Sequence, residues 1–267
     1  FQDGHVHLLV GGVELGECTL FTLATAAAIA DSIAACAAAR PEGWLRGAGW
    51  ELTAFPGANP PRELLDRLVR DRPALLEAAD GHSAWANSRA LALAGITRET
   101  PDPPDGRIER DRSGEPSGTL RETAIGLVRR LLPERSDAEL SAGLQRALRL
   151  ANERGITAAL EASLSERELR TYTDADRAGR LTVRIVAAAD AEPDSTGIAG
   201  TLRRLDGWRG RYASARFRPV AAKLYQDGVI ESGTAALLEP YLGRRGDAGK
   251  PIYSQETLDS HTAALER

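Results

Sequence analysis

Phe1-Gln2-Asp3-Gly4-His5-Val6-His7-Leu8 carries two of the chain's four histidines, one residue apart, in a short run that reads as a strand. Side chains at i and i+2 of a strand leave the same face. His5 and His7 can therefore present two imidazoles to one point while Val6 faces the other way, an arrangement that suits zinc and related divalent ions. Gly4 leaves room for close approach of backbone or ligand. The same tripeptide also recurs on solvated strands that bind nothing, and the residues alone leave both readings open.

Two later phrases stand in a fixed order behind it: Asp80-Gly81-His82-Ser83-Ala84-Trp85-Ala86-Asn87-Ser88 and Lys223-Leu224-Tyr225-Gln226-Asp227-Gly228-Val229-Ile230-Glu231-Ser232-Gly233. The first phrase, Phe-Gln-Asp-Gly-His-Val-His, resembles the opening-strand signature of the amidohydrolase superfamily of metal-dependent hydrolases. All three together resemble its YtcJ-like, family 3 branch, which contains N-substituted formamide deformylase. The resemblance implies an α/β fold, a (β/α) TIM-type barrel, with Lys223 on the fourth barrel strand. It implies a divalent metal, zinc, as one or two ions, held by His5, His7 and Lys223, with carbon dioxide carboxylating the lysine so that the carbamate bridges the ions. It also implies hydrolysis of a C–N bond, in an amide, formamide or cyclic amide, of a small organic substrate. His82, Trp85 and Asn87 would contact that substrate, and Asp227 and Ser232 fall where the substrate-facing loop of the family lies. The family's later ligands, two histidines and a general acid–base aspartate, have no match after Lys223, where only His261 remains. The catalytic aspartate is accordingly expected beyond Arg267. The chain is thus expected to be the first half or so of the barrel, without the N-terminal β-rich domain and the last strands, and to be inactive as a fragment.

Lys223 also stands out without the resemblance. It is the only lysine besides Lys250 in a chain that otherwise uses arginine, and lysine, unlike arginine, can shift its pKa enough to become a neutral amine. The alternative is that it snorkels to the rim and pairs with a carboxylate such as Asp227. Trp50, at the end of a strand, reads either as the wall of an apolar pocket or as packing. Glu161 ends a strand and could face the site or pair with an arginine, and it is left out of the ligand set. His261 reads as part of a solvated helix face.

Composition limits the alternatives. With 267 residues, 42% of them hydrophobic, and a net charge of −4, the chain has material for a large core and no clustered basic face for nucleic acid. No apolar run approaches membrane length. Cys18 and Cys36 lack a metal-ligand spacing and read as free thiols of a reducing compartment, which places the protein in the cytoplasm. The expected partner is a small-molecule substrate, with neither nucleic acid nor membrane; a second copy of the chain could cover the open edge of a half barrel. A non-catalytic binding or scaffold protein that keeps a half-site is the alternative function.

Along the chain, an alanine-rich helix is expected over 22–39, a strand over 44–50, a helix over 61–70 and a strand candidate over 74–79 that delivers Asp80 to a loop. The prolines and turn pairs of 95–121 suggest a β-hairpin insertion. Helices over 123–132 and 137–154 follow, the second opened by a Ser136/Glu139 capping box and closed by Gly155. Strands over 156–162, 182–189 and 220–225 alternate with helices over 166–178 and 196–206, which is the pattern of parallel βαβ units. A last helix covers 254–267. This gives six strand candidates where the resemblance needs four up to Lys223, so at least one lies outside the barrel.

Overall fold

His5 lies in β1 (Gln2–Val6), after which the chain turns at His7 into α1 (Leu8–Glu14). The computed structural model describes residues 1–193, 197–228, 230, 235–242 and 246–266. They form two compact units, one from residues 1–13 with 135–267 and one from residues 14–134. The inserted unit is therefore much larger than the hairpin expected over 95–121. Among the described residues no helix is long and apolar enough to cross a membrane.

The unit of residues 14–134 holds β2 (Cys18–Thr19), α2 (Ala26–Ala39), β3 (Leu45–Trp50), α3 (Arg62–Leu68), β4 (Ala74–Ala78), β5 (Ser83–Ala86), α4 (Ser88–Leu93), β6 (Gly106–Arg110), β7 (Pro116–Glu122) and α5 (Ile125–Arg129). Its six strands form one sheet in the order β2-β3-β4-β5-β7-β6, parallel from β2 to β4 and antiparallel from β4 to β6. Alanine-rich α2 begins where Thr25 accepts from the Ala28 N–H and buries Ile29 and Ile33. Trp50, Phe55 and Trp85 meet edge to face in the core, at centroid distances of 5.3 to 6.5 Å. The hairpin of β6 and β7 forms as its turn residues require. The strand candidates over 44–50 and 74–79 both belong to this sheet, which removes the excess in the strand count.

One expectation is overturned in this unit. Cys18 and Cys36 are joined by a disulfide, with Cα atoms 5.6 Å apart. Spacing along the chain hides the pair: Cys18 sits on a two-residue strand, and the cysteine on the last turn of α2 packs back over it. The argument for a reducing compartment from free thiols falls with it.

The other unit continues with α6 (Asp137–Glu153), β8 (Ala158–Leu164), α7 (Glu166–Arg177), β9 (Arg184–Asp190), α8 (Gly197–Tyr212), β10 (Phe217–Lys223) and α9 (Gln255–Leu265). Its four strands are all parallel, in the order β1-β8-β9-β10, so Lys223 ends the fourth strand. Ser136 with Glu139 and Ser165 with Glu168 form capping boxes that start α6 and α7. Gly155 ends the α6 turn in the left-handed region at φ 72°. The helix expected over 254–267 is α9, and Arg267, at the end of that range, lies outside the described residues. The core gathers Leu9, Leu144, Leu169, Tyr172, Ile185 and Phe217, with the Tyr172 and Phe217 rings stacked at 5.0 Å. The backbones of α1 and α6 touch at glycines: a Cβ on Gly12 would lie 2.2 Å from the Gly143 carbonyl oxygen. β1 and β10 are the edges of this sheet, and Val220 on β10 is 60% exposed.

Candidate functional site

Because the four strands run parallel, their C-terminal ends collect on one edge of the sheet, the place where α/β folds put their chemistry. His5, on β1, and His7, just past its last residue, are both exposed there. Their rings lie 5.5 Å apart, nearly perpendicular. The His7 imidazole is held below its usual pKa, first by desolvation, then by the neighbouring His5 and by Lys223, against the opposing pull of the Ala162 backbone and of Glu168. A depressed pKa favours the neutral ring, the form that ligates metal.

Lys223 is half-buried at the end of β10, in register with Asp190 on β9. Its ammonium lies 4.8 Å from the centroid of the Tyr225 ring. The ion pair with Asp227 weighed from the sequence is not formed: the Asp227 carboxylate accepts from the Ala236 N–H at 2.9 Å. Asp227 is exposed on the segment after β10, and Ser232 lies outside the described residues. Within one unit, His5 and Lys223 both lie near enough to His7 to lower its pKa. Two imidazoles and a lysine amine are a donor set that fits a divalent ion once the amine is carboxylated. Without that modification the set is thin, and no cluster of three or more His, Cys, Asp or Glu side chains that could hold a metal occurs among the described residues. The general acid–base aspartate expected beyond Arg267 has no position in the structure, whose described residues end at Glu266, and the catalytic role stays unassigned.

The expected substrate residues divide differently. Trp50 and Trp85 are fully buried, and the Trp50 indole N–H donates to the Leu76 carbonyl at 2.9 Å. Asn87 is equally buried: its side-chain oxygen accepts from the N–H groups of Ala74 and Ala90, and its amide donates to the carbonyls of Val69 and Arg72. With every donor and acceptor committed, Asn87 caps α4 and ties together the strand and loop before it. The substrate role expected of Trp50, Trp85 and Asn87 finds no exposed surface on them in this unit: the two indoles pack in the core, the Trp85 N–H without a partner among the described residues, and Asn87 caps α4. Of His82, Trp85 and Asn87, only His82 is accessible. It stands in the turn between β4 and β5, strands of a different sheet from that of β1, and its Nδ1 lies 2.9 Å from the Glu122 carboxylate. Glu122 takes a left-handed backbone at φ 50°, the region that disfavours side chains.

Sequence reasoning missed Glu122, whose partner is 40 residues away. Glu161, which it left out of the ligand set, proves to be fully buried. Its Oε2 accepts from the N–H groups of Leu8 at 2.8 Å and Leu9 at 3.3 Å and from the Tyr172 hydroxyl, while Oε1 is buried with no hydrogen-bond partner among the described residues. Desolvation pushes this carboxyl up to about 7, with the three donated hydrogen bonds pulling the other way. A lone glutamate within an alanine-rich strand was the available signal.

Comparison with known proteins bears on this arrangement. The profile described as "Amidohydrolase family" matches residues 1–267. The putative amidohydrolase YtcJ of Bacillus subtilis is 30% identical over 269 residues, covering 97% of this chain and 48% of that protein. The N-substituted formamide deformylase of Arthrobacter pascens is 38% identical over 132 residues, 48% of this chain and 24% of that one. In fold, the chain is similar to the crystal structure of an uncharacterised metal-dependent hydrolase from Pyrococcus horikoshii OT3, with a TM-score of 0.71 at 23% identity, over 100% of this chain and 50% of the other. The chain spans about half the length of the relatives it matches over its full extent.

Proposed function

Since the chain belongs to the amidohydrolase family, whose profile covers all of residues 1–267, we propose that the protein is a metal-dependent hydrolase that cleaves a C–N bond of a small organic substrate. The observation that carries this is the His5–His7 pair, its rings 5.5 Å apart at one end of a parallel sheet whose fourth strand ends at Lys223. His5 and His7 would hold the ion through ring nitrogens. Lys223, as a carbamate formed with carbon dioxide, would add oxygen ligands and let one or two ions, zinc by donor type, share the site. When bound, the ion lowers the pKa of a water molecule and polarises the carbonyl under attack. The surroundings in this chain, desolvation first and then His5 and Lys223, favour the neutral His7 ring that would ligate the ion. The general acid–base group that hands a proton to the leaving nitrogen is not among these residues.

We further propose that the exposed edges β1 and β10 are completed by additional strands into a (β/α) barrel. The apolar side chains of Val186 and Val220, 40% and 60% exposed, support this reading, because an open parallel sheet leaves both its hydrogen-bonding edges and its inner face uncovered. N-substituted formamides head the candidate substrates because a named formamide deformylase is 38% identical over 132 residues. A second reading, a binding protein with a half-site, is favoured by the thin ligand set. The deciding assay offers the intact protein, with zinc and bicarbonate, a panel of N-substituted formamides, acyl amino acids and cyclic amides. Turnover lost in both His5→Ala and Lys223→Ala is the expected result; full activity in either variant overturns the metal mechanism, and no turnover alongside tight ligand binding favours the second reading.

A further inference from the structure

We propose that Glu161 is a positioning residue for the His5–His7 pair: it caps α1 from the neighbouring strand because the residue at the capping position, His7, has its side chain engaged elsewhere. The inference rests on the reading of that pair as a metal site. The first N–H groups of any α-helix lack partners in the helix, and a Ser, Thr, Asp or Asn just before it normally supplies the acceptor. Here the Gly11 N–H donates to the His7 carbonyl at 2.9 Å, so the helix starts at His7, and the exposed imidazole lies edge to face with that of His5 instead. The missing acceptor comes from β8. Val6 and Glu161 are paired in register, and the Glu161 Oε2 receives the Leu8 and Leu9 N–H groups. The Glu161 side chain therefore holds the two amides that directly follow His7. The Tyr172 hydroxyl donates to the same oxygen and anchors the carboxyl to α7.

A carboxyl with no exposure, set among Leu9, Leu169 and Tyr172, is costly to maintain there. If Glu161 served packing alone, an apolar residue would fill the place better. The three donors it accepts explain its presence, and two of them belong to the turn that aims His7.

The test compares the intact wild-type protein with Glu161→Gln and Glu161→Ala. Glutamine keeps a carbonyl oxygen for the three donors; alanine removes it. In metal-free protein, the proximity of the His5 and His7 rings is followed by nuclear Overhauser contacts between their ring protons. In parallel, cobalt(II) with bicarbonate is titrated and its visible absorption recorded. The expected result is that Glu161→Gln retains the ring contact and the wild-type cobalt affinity, while Glu161→Ala loses the contact and about tenfold or more in affinity with an altered spectrum. Retention of both by Glu161→Ala overturns the proposal. If wild type binds no cobalt, the metal reading fails and the ring contact still decides the positioning role. If Glu161→Ala does not fold, amide exchange of Leu8 and Leu9 in wild type decides it: slow exchange supports the cap, and exchange at the unprotected rate refutes it.

Discussion

Burial of Glu161 should make the stability of its unit fall as pH rises through neutrality, against the usual behaviour of a paired carboxylate. Its carboxyl moves from 4.5 to about 7 on folding because desolvation outweighs the hydrogen bonds from Tyr172, Leu8 and Leu9. The folded chain therefore binds this proton more tightly than the unfolded chain, and between those two values it holds more protons. Stability is full below about pH 4.5, declines across the interval, and above pH 7 carries the whole cost of an ionised group in the core. The interval between 4.5 and about 7 corresponds to about 3 kcal/mol at 1.36 kcal/mol per pKa unit. Glu161→Gln has the same shape and no proton to lose. Urea denaturation of both proteins near pH 4 and near pH 8, followed through the amide signals of β8 and β9, isolates the effect. Relative to wild type, Glu161→Gln should gain about 3 kcal/mol between the two conditions. Equal changes in both proteins would show that Glu161 titrates normally and that its desolvation has been misjudged.

Three further outcomes follow from packing. Reduction of the Cys18–Cys36 bond, or Cys36→Ser, should cost residues 14–134 about 3 kcal/mol, the loop-closure value for the separation of 18 residues, and thermal melts with and without a dithiol reductant check this. Gly12→Ala should destabilise by about 1–3 kcal/mol or prevent folding, because its Cβ would meet the Gly143 carbonyl oxygen at 2.2 Å; an unchanged urea midpoint would show that α1 and α6 can separate at no cost. Asn87→Ala should lose about 3 kcal/mol or more, since four buried backbone groups lose their partner, and a loss in substrate affinity at unchanged stability would instead restore its binding role.

The parallel sheet is legible in the sequence because each βαβ step carries its own local signals. Capping serines stand before α6 and α7, Gly155 closes α6, and apolar runs of strand length lie between. The strands of the inserted unit pass for barrel strands because β3 and β4 are as apolar and as parallel as β8 and β9; only pairing partners, which periodicity does not encode, separate the two sheets. The four-residue β5 passes for loop because its alternation is too short to register. At the site, His5, His7 and Lys223 are visible as residue types out of keeping with their surroundings. Glu161 is visible too, as a lone glutamate in an alanine-rich strand, but its role is not, and Glu122 gives no signal, since each takes its meaning from a partner far along the chain: Leu8 lies 153 residues from Glu161, and His82 lies 40 from Glu122. Trp85 and Asn87 draw a binding role from the phrase they belong to and Trp50 from its place at a strand end, whereas all three are fully buried, Asn87 with every hydrogen-bonding group committed and Trp85 with its indole N–H unpartnered among the described residues.

A crystal of the intact protein grown with zinc and bicarbonate, and measured at the zinc absorption edge, decides whether this end of the sheet is a metal centre. The expected result is an anomalous peak at about 2.0–2.1 Å from a ring nitrogen of His5 and of His7, with extra density for a carboxyl group on the Lys223 Nζ. A peak elsewhere, or ordered His5 and His7 rings with no ion between them at saturating zinc, would remove the metal site and with it the hydrolytic mechanism proposed for this chain.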